Sequence, residues 1–353
     1  MHLTHLSRCP GRMWYCRSSK NMQASSDWSR PRSAGPQPRD DLRRAPPGLG
    51  PTRSGPAPKG YTTAATLESV YDPVPVNVNL IALSPTTLPE APPLEYLEAA
   101  AAAGYNGVGL RLARSPLFPF HPVVGNAALI REMKRALASS GLAVLDILSF
   151  YLQPATDVDS FAASLELGAE LGARYALVAG DDENWARLRD NLGRFCDLAG
   201  RFGVAAAVEF AVIRPLATLS QTLRLLSEIG RKNAVVCLDP LNFVRSGGSA
   251  ALLRGLDPRL FPYAQISDGV LGPGEPDLSK LGRMSPNERR MPGEGMLPLR
   301  DILDALPAGL PLSVELPMPK TAQRPAREWA KATAESTRRF LDEYYRAKRR
   351  EAT

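Results

Sequence analysis

The sequence predicts an α/β protein, a (β/α)8 TIM barrel preceded by a disordered N-terminal extension. Three observations carry this. From about residue 75 onward, eight short runs recur that are near-continuously apolar, as strands covered on both faces must be. Between them lie segments of 3.6-residue hydrophobic period that stop at glycine or a short loop. Eight such units in about 275 residues match the usual size of this barrel. A doubly wound open sheet is the competing architecture, but the chain carries no dinucleotide-type glycine fingerprint.

The extension, residues 1–72, comes first. Residues 1–60 hold nine Arg and two Lys against three Asp, a balance of +8; the whole chain is +7, which leaves −1 for residues 61–353. The basic pI therefore belongs to the tail, and the body lacks the charge excess that holds nucleic acid. Nine prolines in those sixty residues oppose an amphipathic targeting helix, and the segment has no apolar h-region of a signal peptide. No apolar run approaches the ~18–20 residues of a membrane span. Four cysteines without CxxC or CxxH spacing support neither a disulfide framework nor a zinc knuckle, so a cytoplasmic protein is expected. Deleting residues 1–70 is expected to leave the thermal unfolding midpoint nearly unchanged. A drop of many degrees would mean that the segment packs on the barrel.

The barrel, residues 73–350, follows. Its strands are read as "VNVNLIALS" from Val76, "GVGLRLA" from Gly107, "AVLDILSFYL" from Ala143 and "YALVAG" from Tyr175. The second half continues with "VAAAVEF" from Val204, "NAVVCLD" from Asn233, "YAQISD" from Tyr263 and "PLSVEL" from Pro311. Five helical segments stop at Gly104, Gly141, Gly172, Gly203 and Gly230, each placed as a C-terminal cap. "AALLRGL" and "LRDILDAL" are shorter, and a long helix closes the chain. The stretch from Gly269 to Pro298 is too long for a mere connector, and such loops usually cover active sites.

In a barrel the active site forms at the C-terminal ends of the strands. There the last four strands carry Glu209, Asp239, Gln265 and Glu315. Taken singly, each could be an N-cap of the next helix or a salt-bridge partner. Taken together, three carboxylates converging in a buried place repel one another and are costly to desolvate unless a cation compensates them. A divalent ion does so, and oxygen-only ligation favours Mg²⁺ or Mn²⁺. Gln265 is then a neutral fourth ligand.

"VEF", "LDPLNFVRSGGS", "AQISDG", "RMPGEGMLPL" and "SVELP" fall in an order and spacing that resemble the sugar isomerase/epimerase superfamily, the xylose isomerase-like TIM barrels. The resemblance spans roughly residues 76–345. It implies one divalent cation held by Glu209, Asp239, Gln265 and Glu315, with Glu209 and Glu315 also moving the substrate proton. It implies an isomerase or epimerase acting on a sugar, sugar phosphate or sugar acid. A dehydroshikimate dehydratase-like lyase and a non-catalytic binding barrel are the alternatives. Two positions depart from the family pattern. The seventh strand has Gln265 where His is usual, and the sixth-strand Asp-x-x-His motif has Asn242, which cannot titrate. With only His2, His5 and His121 in the chain, the histidine count argues against the related trinuclear-zinc AP endonucleases.

Five further residues are candidates for binding substrate. Asn242 stands in the place of the family His. Arg245 precedes consecutive backbone N–H groups in "RSGGS", an arrangement suited to an anion or to a simple glycine-rich turn. Arg290 in "RRMPGEG" could clamp an anionic group or brace the loop. Arg111 ends the second strand, and His121 follows in "LFPFHP", where a packed loop residue is the competing role. The expected partner is thus an anionic small molecule, not nucleic acid or membrane, and the barrel is compatible with a homo-oligomer.

Overall fold

Strand and helix alternate as the hydrophobic pattern requires. The structure, a computed structural model, describes residues 80–271, 288–318 and 324–351. The expected extension, residues 1–72, lies outside the described residues. The strands are β1 (Ile81–Leu83), β2 (Gly107–Arg111), β3 (Ala143–Leu152), β4 (Tyr175–Gly180), β5 (Ala205–Glu209), β6 (Ala234–Leu238), β7 (Tyr263–Ile266), β8 (Asp268–Gly269), β9 (Arg289–Arg290) and β10 (Leu312–Val314). Eight of them close into a parallel barrel in the order β1-β10-β7-β6-β5-β4-β3-β2. The remaining pair, β8 and β9, forms a separate antiparallel two-stranded sheet that pairs Asp268 with Arg290 and Gly269 with Arg289.

The helices start and stop where local chemistry dictates. Thr218 and Gln221 form a reciprocal capping box at the start of Leu219–Ile229, and that helix ends at Gly230 with φ of 61°, a conformation that favours glycine. Asn126 caps Ala127–Ser140 by accepting from the Leu129 amide. Among the described residues no helix is long and apolar enough to cross a membrane.

Two apolar layers result. The larger packs the helices around the outside of the barrel, with Phe150, Phe195, Phe243 and Leu225 fully buried. The smaller fills the barrel interior with Leu80, Ala82, Leu145, Leu148, Leu177, Ala207, Cys237 and Tyr263. Side chains alternate along a strand, so Ala207, Cys237 and Tyr263 share a face with the residues two positions on. Those residues are Glu209, Asp239 and Gln265. The apolar interior layer is therefore the floor beneath the polar one.

Candidate active site

Four neighbouring strands deliver the polar layer. Glu209 ends β5, Asp239 follows β6, Gln265 lies in β7 and Glu315 follows β10. One carboxylate oxygen from each of Glu209, Asp239 and Glu315 lies within 4.8 Å of the other two. Gln265 pairs in register with Ser313, two residues before Glu315, and its Nε2 donates to Glu315 Oε2 at 2.9 Å. Its Oε1 is buried without a hydrogen-bond partner. Ser84 Oγ donates to the same Glu315 oxygen at 3.2 Å. The donor set is thus three carboxylates and one unsatisfied amide oxygen, which suits a divalent cation.

The electrostatics agree. Loss of solvent, then repulsion from Glu315 and Asp239, holds the Glu209 carboxyl up at about 8. Burial likewise raises Glu315, although Arg289 opposes the shift. A cation among these groups favours their ionised forms. Asp239 serves two further purposes. Its Oδ1 accepts from the Asn242 amide at 2.8 Å, capping the short helix Pro240–Arg245, and its Oδ2 accepts from Arg289 Nη1 at 2.7 Å. Cap and candidate ligand are the same residue.

Arg289 was not singled out in the sequence. It also donates to Ser267 Oγ at 2.7 Å and lies 3.7 Å from Glu315 Oε1. Successive residues of a strand face opposite ways, so only one arginine of the "RR" pair can reach the centre. The chosen one, Arg290, donates instead to the Arg289 carbonyl at 3.0 Å. Two more residues were unforeseen. Arg214, paired with Asp181 at 3.2 Å and stacked over Tyr151, lowers the Glu209 pKa from nearby. Asp146 is buried in the middle of β3 and accepts from Tyr263 Oη at 3.0 Å. A lone acid in a ten-residue apolar strand was the available signal.

The other expected residues divide. Asn242 Nδ2 reaches Glu209 Oε1 at 3.3 Å, so it orients a carboxylate where a histidine would titrate. Arg111 lies over the Phe118 ring, donates to Thr86 Oγ1 at 3.4 Å, and contributes to the field at Glu315. His121 and Arg111 both line a small, mainly apolar cavity of about 40 Å³ beside Leu88, Tyr96 and Met133. Arg245 braces the long loop: its Nη1 pairs with Glu288 at 2.8 Å and its Nη2 donates to the Val270 carbonyl at 3.3 Å. Arg245→Ala should therefore lower thermal stability slightly and weaken anionic and neutral ligands alike. Selective loss of the anionic ligand in a calorimetric titration would instead support the anion-binding role.

The loop's two feet meet at Asp268. Its Oδ1 accepts from the amides of Gly269 and Leu297 at 2.8 and 3.0 Å, and its Oδ2 from Gly293 at 3.1 Å. A Cβ on Gly295 would lie 2.2 Å from Asp268 Oδ1 and 2.6 Å from the Gly269 carbonyl. Gly295→Ala should open this clasp at a cost of about 1–3 kcal/mol, seen as a lower urea midpoint.

Comparison with known proteins agrees with the barrel fold. A family model described as "Xylose isomerase-like TIM barrel" matches residues 97–342. No curated protein sequence matches. Solved structures share the fold at low identity. IolI protein with a bound zinc atom superposes with a TM-score of 0.61 at 19% identity, covering 75% of this chain and 98% of that one. A 3-keto-D-glucoside 4-epimerase from E. coli, YcjR, gives 0.55 at 17%, covering 74% and 99%. A probable 3-DHS dehydratase from Bacillus anthracis, AsbF, gives 0.55 at 16%, covering 72% and 97%.

Proposed function

Because the chain belongs to the xylose isomerase-like TIM barrel family, we propose that it is a divalent-metal-dependent isomerase or epimerase of a small polyhydroxylated carbonyl compound. The observation that carries this reading is the cluster of Glu209, Asp239 and Glu315 at the mouth of the barrel, with the unsatisfied Gln265 Oε1 beside it. We assign these four residues as metal ligands and favour Mg²⁺ or Mn²⁺ on the oxygen-only donor set. When bound, the cation stabilises the developing enediolate oxygen of a substrate carbonyl and so acidifies the adjacent carbon.

The chain's own residues do the rest. Glu209 and Glu315 stand on β5 and β10, with β6 and β7 between them in the barrel. They therefore approach a bound substrate from two sides. One carboxylate removes the carbon-bound proton, and the other can return a proton to the opposite face or to the neighbouring carbon. Asn242 holds Glu209; Ser84 and Gln265 hold Glu315. No imidazole takes part in this scheme, so the two glutamates carry all of the proton transfer.

The test is incubation of the protein with Mg²⁺ or Mn²⁺ and a panel of sugars, sugar phosphates and sugar acids in D₂O. Deuterium appearing next to the carbonyl, followed by NMR, is the expected result. An unsaturated product would assign lyase chemistry instead. Ligand binding without any exchange across the panel would leave a binding barrel and overturn the proposal.

A further inference from the structure

We infer that Arg289 is a built-in counter-ion of the carboxylate centre, a positioning residue that keeps the three acids assembled before any divalent ion is bound. Its guanidinium pairs with Asp239 at 2.7 Å and lies 3.7 Å from Glu315, and Ser267 Oγ fixes it from the side at 2.7 Å. Only 2% of the side chain is exposed, so it has almost no surface to offer a substrate. An arginine side chain stays charged in proteins, and this one faces Asp239 and Glu315 directly. A buried guanidinium is costly unless its field is used. Here three carboxylates use it.

Charge arithmetic gives the consequence. Once all three carboxylates are ionised, they and the guanidinium sum to −2 (−3 + 1), the charge that one divalent cation neutralises. Without Arg289 the same acids would repel with only the fields of Arg214 and Arg111 opposing them, and the cluster would loosen. The residue reaches the centre because β8 and β9 pair, with Glu288 held by Arg245 immediately before it. The long loop thus delivers a fixed positive charge into the mouth of the barrel. The counter-ion role stands on this ion-pair geometry alone. Its effect on metal affinity rests on the metal-site reading above.

The experiment uses the full chain and four proteins: wild type, Arg289→Met, Arg289→Lys and the double variant Arg289→Met with Glu315→Gln. Thermal unfolding in chelator reads the counter-ion role. Arg289→Met should melt well below wild type, Arg289→Lys much closer to it, and the double variant should regain most of the loss because one repelling charge has gone. A double variant no more stable than the single one would overturn the proposal, as would an Arg289→Met protein as stable as wild type. If Arg289→Met does not fold, a folded double variant supports the role and an unfolded one overturns it. Calorimetric titration with Mn²⁺ reads the second consequence. Arg289→Met should bind the ion about tenfold more tightly, the scale of one like charge removed from a partly screened site. Weaker binding would mean that Arg289 organises the ligands but does not offset their charge, and would overturn the counter-ion role. If wild type binds no Mn²⁺ at all, the metal-site reading fails, while the chelator measurements still decide the counter-ion role.

Discussion

Glu315→Gln is expected to abolish proton exchange in the substrate while leaving the barrel folded. The change is nearly isosteric, and Ser84 can still hydrogen-bond to the new side chain. What is lost is a charge at the point where Arg289, Gln265 and the carboxylates of Glu209 and Asp239 meet. An acid or base placed for proton transfer is worth about 10²–10⁴-fold in rate, and the variant should lose at least that much. Its Mn²⁺ binding should weaken in the same preparation. Thermal unfolding provides the control, since the near-isosteric side chain still fills the site beside Ser84 and Gln265. Full exchange activity in a folded Glu315→Gln protein would remove this residue from the mechanism.

The second large effect concerns stability and lies deeper in the barrel. Burial, with a further push from Glu315, raises the Asp146 carboxyl to about 7, although the Tyr263 hydroxyl opposes the shift. Oδ1 of this carboxyl has no hydrogen-bond partner, and a Cβ on Gly109 would lie 2.4 Å from it. The folded protein therefore holds this proton while the unfolded chain, near 4, releases it. An acid with a raised folded pKa contributes full stability below its unfolded pKa and loses it as pH rises to the folded value. The loss runs from about pH 4 to about pH 7 and amounts to roughly 4 kcal/mol by linkage. Asp146→Asn keeps an acceptor for Tyr263 and has no proton to lose. Urea unfolding across this range should show the variant gaining on wild type with each step in pH, and more stable at pH 8. Parallel stability curves for the two proteins would show that Asp146 is not protonated in the fold.

Most of the fold could be read in the sequence because its signals are local. The apolar run "AVLDILSFYL" coincides with β3 and "YALVAG" with β4, since both strands are covered on both faces and are apolar apart from Asp146 and Ser149. The short helix Pro240–Arg245 escaped because its signal, an Asp–Pro pair, was already assigned to a ligand. The carboxylate cluster was legible because the strand ends are fixed by topology. Its cation was not. Choosing Arg289 over Arg290 requires the pairing of Gly269 with Arg289, a register set by two-residue strands 20 residues apart, too short to show any periodicity. Arg245 stayed open between two roles for the opposite reason. An arginine beside glycines looks the same whether its partner is a ligand or Glu288, and Glu288 is 43 residues away.

The single carboxylate of Asp268 ties the end of β7 to Gly293 and Leu297, and so separates the length of the intervening segment from the chemistry beneath it. Both feet are fixed on the barrel side, together with the arginine that enters the centre. Insertions beyond the β8–β9 pair change the chain length there without re-registering a strand of the barrel. A barrel built this way can carry a different loop on unchanged strand ends. The strand ends that carry Glu209, Asp239, Gln265 and Glu315 keep their places when that happens.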